Sequence, residues 1–419
     1  MPTMTKVYHL CLLYLSSTLC LLGQDLRSYQ DSAARNNPSL KASFYRFKAS
    51  LERSAQVASL EDPQLSFAYF IQPIETRVGP QLGRLSLSQR FPWFGTLNAK
   101  NRAANAEAEA NYQIFLDQKA KLSHKVGQAY FDIHLWKREC QVLSEQKKLM
   151  NQFLQIQLER YQSGQVPLSE LIRLQLKIED LSTQIRIKQA EEYSLYTRFN
   201  NLLNRPDSSY IDMSLEPGLE NIFGRLKYFQ TSFQDSLHPQ LKRLSLQAEA
   251  ELAKEKAAQL GAYPNFGLGL DYVFIGERSV ANLKDNGKDA IMPMISISLP
   301  LAQGKYHAAR KEAQLRQEAF KLESEGLRLN FKSQYAQAYY QLKAQLELAQ
   351  FFQKQGHEDE KLLQLMWTDY RNKKASIEGI LSLEEKLLND QLAEARALHQ
   401  AYQQVLELEY LNASYHELD

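Results

Sequence analysis

Proline placement restricts this 419-residue chain more than any other feature. All 13 prolines lie at or before Pro300; none falls between Pro92 and Pro167, and none follows Pro300. Proline removes a backbone donor and clashes with the preceding helical turn, so the two proline-free stretches are where helices can run without a break. From Thr96 to Gln162 only Gly127 interrupts a run rich in strong helix formers. A continuous helix there is ~100 Å long. Its counterpart, Lys305 to Asn372, carries only Gly326 and Gly356. No single globular core needs helices of that reach.

Self-comparison shows that the long stretches belong to a duplicated unit. Asn37–Ala42 (NPSLKA) matches His238–Arg243 (HPQLKR) at an offset of 201, and an alternating segment led by Pro63 recurs from Pro264 at the same offset. Ser86–Pro92, followed by Gly95, answers Ser296–Pro300, followed by Gly304; Tyr161–Leu168 answers Tyr370–Ile377 at 209. Each half predicts a helix (Pro38 to Leu60, Pro239 to Leu260), two strands, the very long helix, a tight turn and a shorter helix. The repeats span 24–204 and 238–419. Between them 205–237, with Pro206, Asp207, Ser208, Ser209, Pro217 and Gly218, reads as a linker carrying one short helix. After the turns, Leu171, Leu174, Ile178, Leu181 and Ile185 step as a coiled-coil seam does, and Ile377, Leu381, Leu388 and Leu392 do so less strictly.

Charge is near balance, with 50 Lys+Arg against 48 Asp+Glu, and 44% of residues are apolar, which excludes a disordered tail and a dedicated nucleic-acid binder. A mean hydropathy of −0.45 with one apolar run of note excludes a bundle of transmembrane helices. That run, Leu10 to Leu22, follows Lys6 and precedes Gly23, and 1–23 reads as a secretory signal cleaved before Gln24, with a small membrane anchor as the alternative. Cys11 and Cys20 fall inside it, and Ser17-Thr18-Leu19 does not resemble a bacterial lipidation box. The mature chain keeps Cys140 alone and forms no internal disulfide, which suits a bacterial envelope protein better than a small secreted module.

The strands carry the functional argument. Leu65, Phe67, Tyr69 and Ile71 alternate with Ser66, Ala68, Phe70 and Gln72, and Leu85 and Leu87 with Arg84, Ser86 and Ser88. The second half repeats this with Phe266, Leu268, Leu270, Tyr272 and Phe274 against Gly267, Gly269 and Asp271, then Ile295, Ile297 and Leu299 against Ser296 and Ser298. Such alternation fits a sheet with one apolar and one wet face. Helices pointing away from that sheet do not cover its apolar face. Lipid does, but only if the strands close into a barrel, because an open edge in hydrocarbon leaves polar backbone unpaired. Four strands cannot close alone; the smallest membrane barrels have eight, so at least two copies must combine, and three would give twelve. Phe91, Trp93 and Phe94 stand where an interfacial belt sits, or pack beneath the first turn of the helix that follows. Pro73 to Pro80 reads as a short outer loop and Ile275 to Pro293 as a longer polar one.

Asn37-Pro38, the Leu85–Gly95 segment LSLSQRFPWFG, the long helix, the Tyr161–Gln175 turn YQSGQVPLSELIRLQ and the duplication of the whole resemble the TolC family of outer-membrane efflux proteins. The resemblance covers nearly all of the mature chain. It implies an α+β, mainly helical fold, in which long antiparallel helices form a periplasmic α-barrel below a trimeric twelve-stranded barrel in the outer membrane. It further implies a homotrimer that docks with a periplasmic adaptor and an inner-membrane pump, and so serves as a passive exit duct for small toxic compounds, metal ions or polypeptides, with no cofactor. The turn residues Gly164, Gln165, Val166, Pro167, Lys373, Lys374 and Ala375 are then the adaptor-contacting tip. In many relatives acidic residues after the second turn line the tunnel constriction; here Gly379 and Ser382 take those places. Glu170, Arg173 and Glu378, with Ser382, are expected to ring it instead. The alternative is that these are solvated charges at helix starts.

Enzyme motifs are absent: there is no P-loop, G-x-S-x-G, H-E-x-x-H or C-x-x-C, and His124 and His134 stand too far apart on one helix to share a metal. The reading from a different class is a soluble periplasmic coiled-coil adaptor or spacer with a small β-domain.

Overall fold

The computed structural model describes residues 24–213, 219–230, 233, 238–279, 284–372 and 376–413. The expected signal segment 1–23 and the tip residues Lys373, Lys374 and Ala375 lie outside them. In chain order the elements are α1 (Gln24–Asn36), α2 (Pro38–Ala58), β1 (Gln64–Thr76), β2 (Gly79–Phe91), α3 (Thr96–Gln162), α4 (Leu168–Leu202), α5 (Leu219–Gln230), α6 (Pro239–Gly261), β3 (Asn265–Ile275), β4 (Ala290–Ser298), α7 (Gln303–Arg371) and α8 (Ile377–Leu411).

The first long helix has the bounds expected, and the second begins two residues earlier than expected and ends one residue sooner. α1 was not anticipated. The break between α1 and α2 follows from Asn37, whose Oδ1 accepts from the backbone of Ser39 (3.0 Å) and Leu40 (3.2 Å), with Pro38 at the first helical position, where its missing N–H costs nothing.

The strands form one antiparallel sheet in the order β1-β2-β3-β4. Both expected loops are shorter than read. β1 and β2 run through Pro73 and Pro80 and turn at Arg77 and Val78, while β4 begins at Ala290 and so includes Pro293. Pro73 and Pro293 are tolerated because β1 and β4 are the edges, with Pro73 in the irregularity between Tyr69 and Ile74, and Pro80 stands at the very start of β2. Gly79 has φ +135°, and a Cβ there would lie 1.8 Å from the Gly276 carbonyl oxygen, so only glycine opens β2.

The described residues divide into two compact units, each drawing on both repeats. One comprises Ser43–Phe115 and Pro239–Leu327 and holds the sheet; in it Phe44 packs on Phe115 and Lys254 bridges Glu107 at 2.6 Å. The other holds the far parts of α3 and α7 with α4 and α8. Its core joins Val142, Leu143, Met150, Leu174, Leu181, Leu388 and Leu392, with Ile178, Ile185 and Leu381 packed against them. Burying each such side chain is worth about 1.5–3 kcal/mol, against about 0–1 for an exposed ion pair. The apolar seam, not the surface charge, holds these helices together. Among the described residues no helix is long and apolar enough to cross a membrane.

Candidate functional site

The α3–α4 turn is built by its glycine. Gly164 has φ +69°, its N–H donates to the Tyr161 carbonyl (2.9 Å) and that of Gln165 to the Arg160 carbonyl (2.8 Å), the paired bonds of a Schellman ending. Gly164, Gln165 and Pro167 are exposed, while Val166 is buried. At the second turn Ser376 caps α8, its Oγ accepting from the Gly379 N–H at 3.3 Å.

The charges expected to act together split into two groups. Arg173 Nη1 meets Glu378 Oε1 at 2.5 Å, joining the starts of α4 and α8, with both side chains more than half exposed. Glu170 is half-buried and turns the other way, toward Tyr370. The Tyr370 hydroxyl lies 3.0 Å from Gln157 Oε1 and 3.2 Å from Glu170 Oε2, with the Arg160 guanidinium 4.5 Å above its ring. Burial, reinforced by the Glu170 carboxylate, pushes the Tyr370 hydroxyl above its ordinary pKa and keeps it a donor. Ser382 is exposed one turn past Glu378. The resulting array is an ion pair on the surface and a hydrogen-bonded tyrosine beneath it.

Sequence reasoning missed Tyr370, Arg160 and Gln157, although Tyr370 opens the repeated word that answers Tyr161. It also missed a ladder along α3 at seven-residue spacing. Asp132 meets Arg198, His399 and Gln403; Glu139 meets Lys188 (2.9 Å) and Arg396 (2.7 Å); Gln146 meets Glu384 (3.0 Å). A polar group inside a helical seam fixes register at some expense of stability.

In the other unit the register places every paired member of the expected lipid-facing set on one face. Leu65, Leu87, Leu270 and Pro293 form one row; Phe67, Leu85, Tyr272 and Ile291 form the next; Leu268 lies opposite Ile295 and Phe266 opposite Ile297. Most are exposed, with Ile71 at 91% and Ile295 at 77%, while Phe266 and Tyr272 are half-buried. Ile71 lies in the irregular stretch of β1, and Leu299 follows the end of β4. The opposite face carries Ser86, Ser88, Gly267, Gly269, Ser296, Ser298 and the buried Asp271, which faces Arg84 at 3.5 Å. Of the junction aromatics, Trp93 stacks on Tyr263 (5.0 Å) and Phe266 (5.7 Å), whereas Phe94 stays 79% exposed.

No protein-family model and no curated protein matches the sequence. Solved structures do match. The outer-membrane channel OprN aligns with a TM-score of 0.72 at 16% identity, over 92% of this chain and 89% of that one. The outer membrane protein VceC of Vibrio cholerae aligns with a TM-score of 0.72 at 17% identity, over 92% and 95%. The MtrE outer membrane channel of Neisseria gonorrhoeae, in its open state, gives 0.64 at 16% identity, over 92% and 88%. The chain has the fold of the TolC-family outer-membrane channels, as its duplicated word order implied.

Proposed function

We propose that this chain is the passive outer-membrane duct of a tripartite efflux pump, working as a homotrimer with its helices in the periplasm. The observation that carries the reading is the sheet: four strands with one continuous exposed apolar face and two free edges. In water that face is a liability; in lipid it is matched, provided other copies pair the edges. The likeness to outer-membrane channels over nine-tenths of the chain supports the same reading. Transport through such a duct needs no bond chemistry here, so the energy comes from an inner-membrane partner, and a periplasmic adaptor joins the two. Gly164, Gln165 and Pro167, with Lys373 to Ala375, form the adaptor surface, and the buried Val166 anchors the first turn beneath it. The cargo class is small toxic compounds or metal ions.

Within the duct, the Arg173–Glu378 pair and Ser382 form the constriction, while Glu170, bonded to Tyr370, braces α4 against α7 beside it. The Arg173–Glu378 pair ties α4 to α8 within one copy, and its exposure lets it exchange partners across a narrow mouth. Planar-bilayer recordings of purified protein test both levels. The reading expects discrete channels in wild type and a higher open probability in Arg173→Ala and Glu378→Ala. Unchanged open probability in both variants would remove the gate assignment; a wild-type protein that forms no channels and stays soluble without detergent would remove the duct itself.

A further inference from the structure

The duplication also specifies how neighbouring copies join, an inference that rests on the channel reading above. β1 starts after Pro63 and β3 after Pro264, 201 residues later. Leu65 pairs with Leu87, and its counterpart Phe266 pairs with Ile297, so β2 maps onto β4 at an offset of 210. The second hairpin is therefore a face-for-face copy of the first. One joint between hairpins lies inside the chain, β2 against β3, where Leu87 faces Leu270, Ser88 faces Gly269 and Gln89 faces Leu268. The edges left over, β1 and β4, are the same two kinds of strand as those in that joint.

We propose that β4 of one copy pairs with β1 of the next in the register of the internal β2–β3 joint. Carried over at the two offsets, the three internal pairs become Ile297 opposite Tyr69, Ser298 opposite Ala68, and Leu299 opposite Phe67 of the next copy. The outcome is chemically consistent. Ile297, Leu299, Phe67 and Tyr69 are 57%, 64%, 66% and 69% exposed in one copy, and the joint sets them side by side on one apolar face. Ser298 and Ala68, both small, meet on the other face. A one-residue slip would turn one set to the wrong face. The transfer stops at the β1 irregularity after Tyr69. It is also a property of the strands alone: the helix pair Lys254–Glu107 across the internal joint has Arg53 and Arg316 at the matching places, each already facing an acid of its own chain. The contact runs head to tail, so it closes a ring when the rotation between copies allows.

Disulfide trapping tests the register. In a Cys140→Ser background, Ala68→Cys/Ser298→Cys and Tyr69→Cys/Ile297→Cys place the two thiols directly opposite each other, within the ~4.4–6.8 Å Cα separation a disulfide accepts. One of two adjacent pairs is a closer, non-hydrogen-bonded pair, so testing both covers either geometry. Mild oxidation is expected to give covalent three-chain species on a denaturing gel with at least one pair. Ser66→Cys/Ser298→Cys and Phe70→Cys/Ser298→Cys, each slipped by two residues or ~7 Å, are expected to stay uncoupled. Coupling in a slipped pair alone, or in no pair of a protein that still runs as a native trimer, would overturn the register and leave the channel reading standing. A native monomer would overturn both.

Discussion

The side-chain amide of Gln146 donates to Glu384 Oε2 at 3.0 Å, in the apolar seam between α3 and α8. Glu384 is 1% exposed, and its other carboxyl oxygen has no hydrogen-bond partner. Among the described residues no ion pair reaches it: Lys177 pairs with the adjacent Glu385 at 3.0 Å, and Lys386 with Asp359. Of the three α3 rungs, this one holds an acid without a base. Burial pushes the Glu384 carboxyl above its ordinary range, with the Gln146 bond opposing only in part. A carboxyl so raised contributes its full stability below the unfolded pKa and loses it as pH rises through the folded one. Glu384→Gln is predicted to raise the melting temperature at pH 7.5 and to change it little near pH 4. Gln146→Leu, which strands the acid, should cost about 1–3 kcal/mol. Thermal denaturation in detergent at the two pH values checks both.

His134 has the opposite sign. Burial, aided by Lys137, pulls it from 6.5 down to about 4, so the folded chain excludes the proton. Its contribution is complete above pH 6.5 and is lost as pH falls toward 4. His134→Phe, which keeps a ring edge-on to Tyr130, is predicted to flatten the acid limb of a stability–pH curve by at most about 3 kcal/mol. An unchanged acid limb in denaturant titrations would contradict this.

Two helical glycines separate packing from propensity. A Cβ on Gly127 would lie 2.7 and 2.9 Å from the two methyl carbons of the buried Leu406, so Gly127→Ala should destabilise by about 1–3 kcal/mol. Gly326 has nothing within 4 Å, and Gly326→Ala should stabilise by about 0.5–1 kcal/mol. Chemical denaturation of the pair reads the difference in sign.

The sheet predicts a face-dependent response to charge. Leu87 and Ser88 are neighbours in β2 on opposite faces. In a lipid-embedded barrel, Leu87→Arg puts a guanidinium into hydrocarbon at about 2–4 kcal/mol near the midplane. Leu87→Arg should therefore deplete the heat-modifiable oligomer from the outer-membrane fraction, while Ser88→Arg should leave its yield unchanged.

These relationships were legible in the sequence to different degrees. The long helices could be read because proline and glycine placement alone permits or forbids them, and the single apolar face of the sheet because period-two alternation survives pairing: Leu65, Leu87 and Leu270 share a row. Loop lengths failed where Pro73 and Pro293 were read as breakers, since an edge strand tolerates a missing donor. α1 was missed because the segment after Gly23 was read only as the start of the mature chain. At the tip, Glu170, Arg173 and Glu378 were grouped from their places at the helix starts; Arg173 does meet Glu378, but Glu170 bonds Tyr370, a partner 200 residues away that no local spacing signals. Glu139 and Glu384 went unremarked because residue type says nothing of burial; the seven-residue spacing of Asp132, Glu139 and Gln146 was the available signal.

Native mass spectrometry of the detergent-extracted protein tests the central claim most directly. The account predicts a species of three chains, released from the outer membrane only by detergent. A single chain that remains dispersed in plain buffer would contradict it.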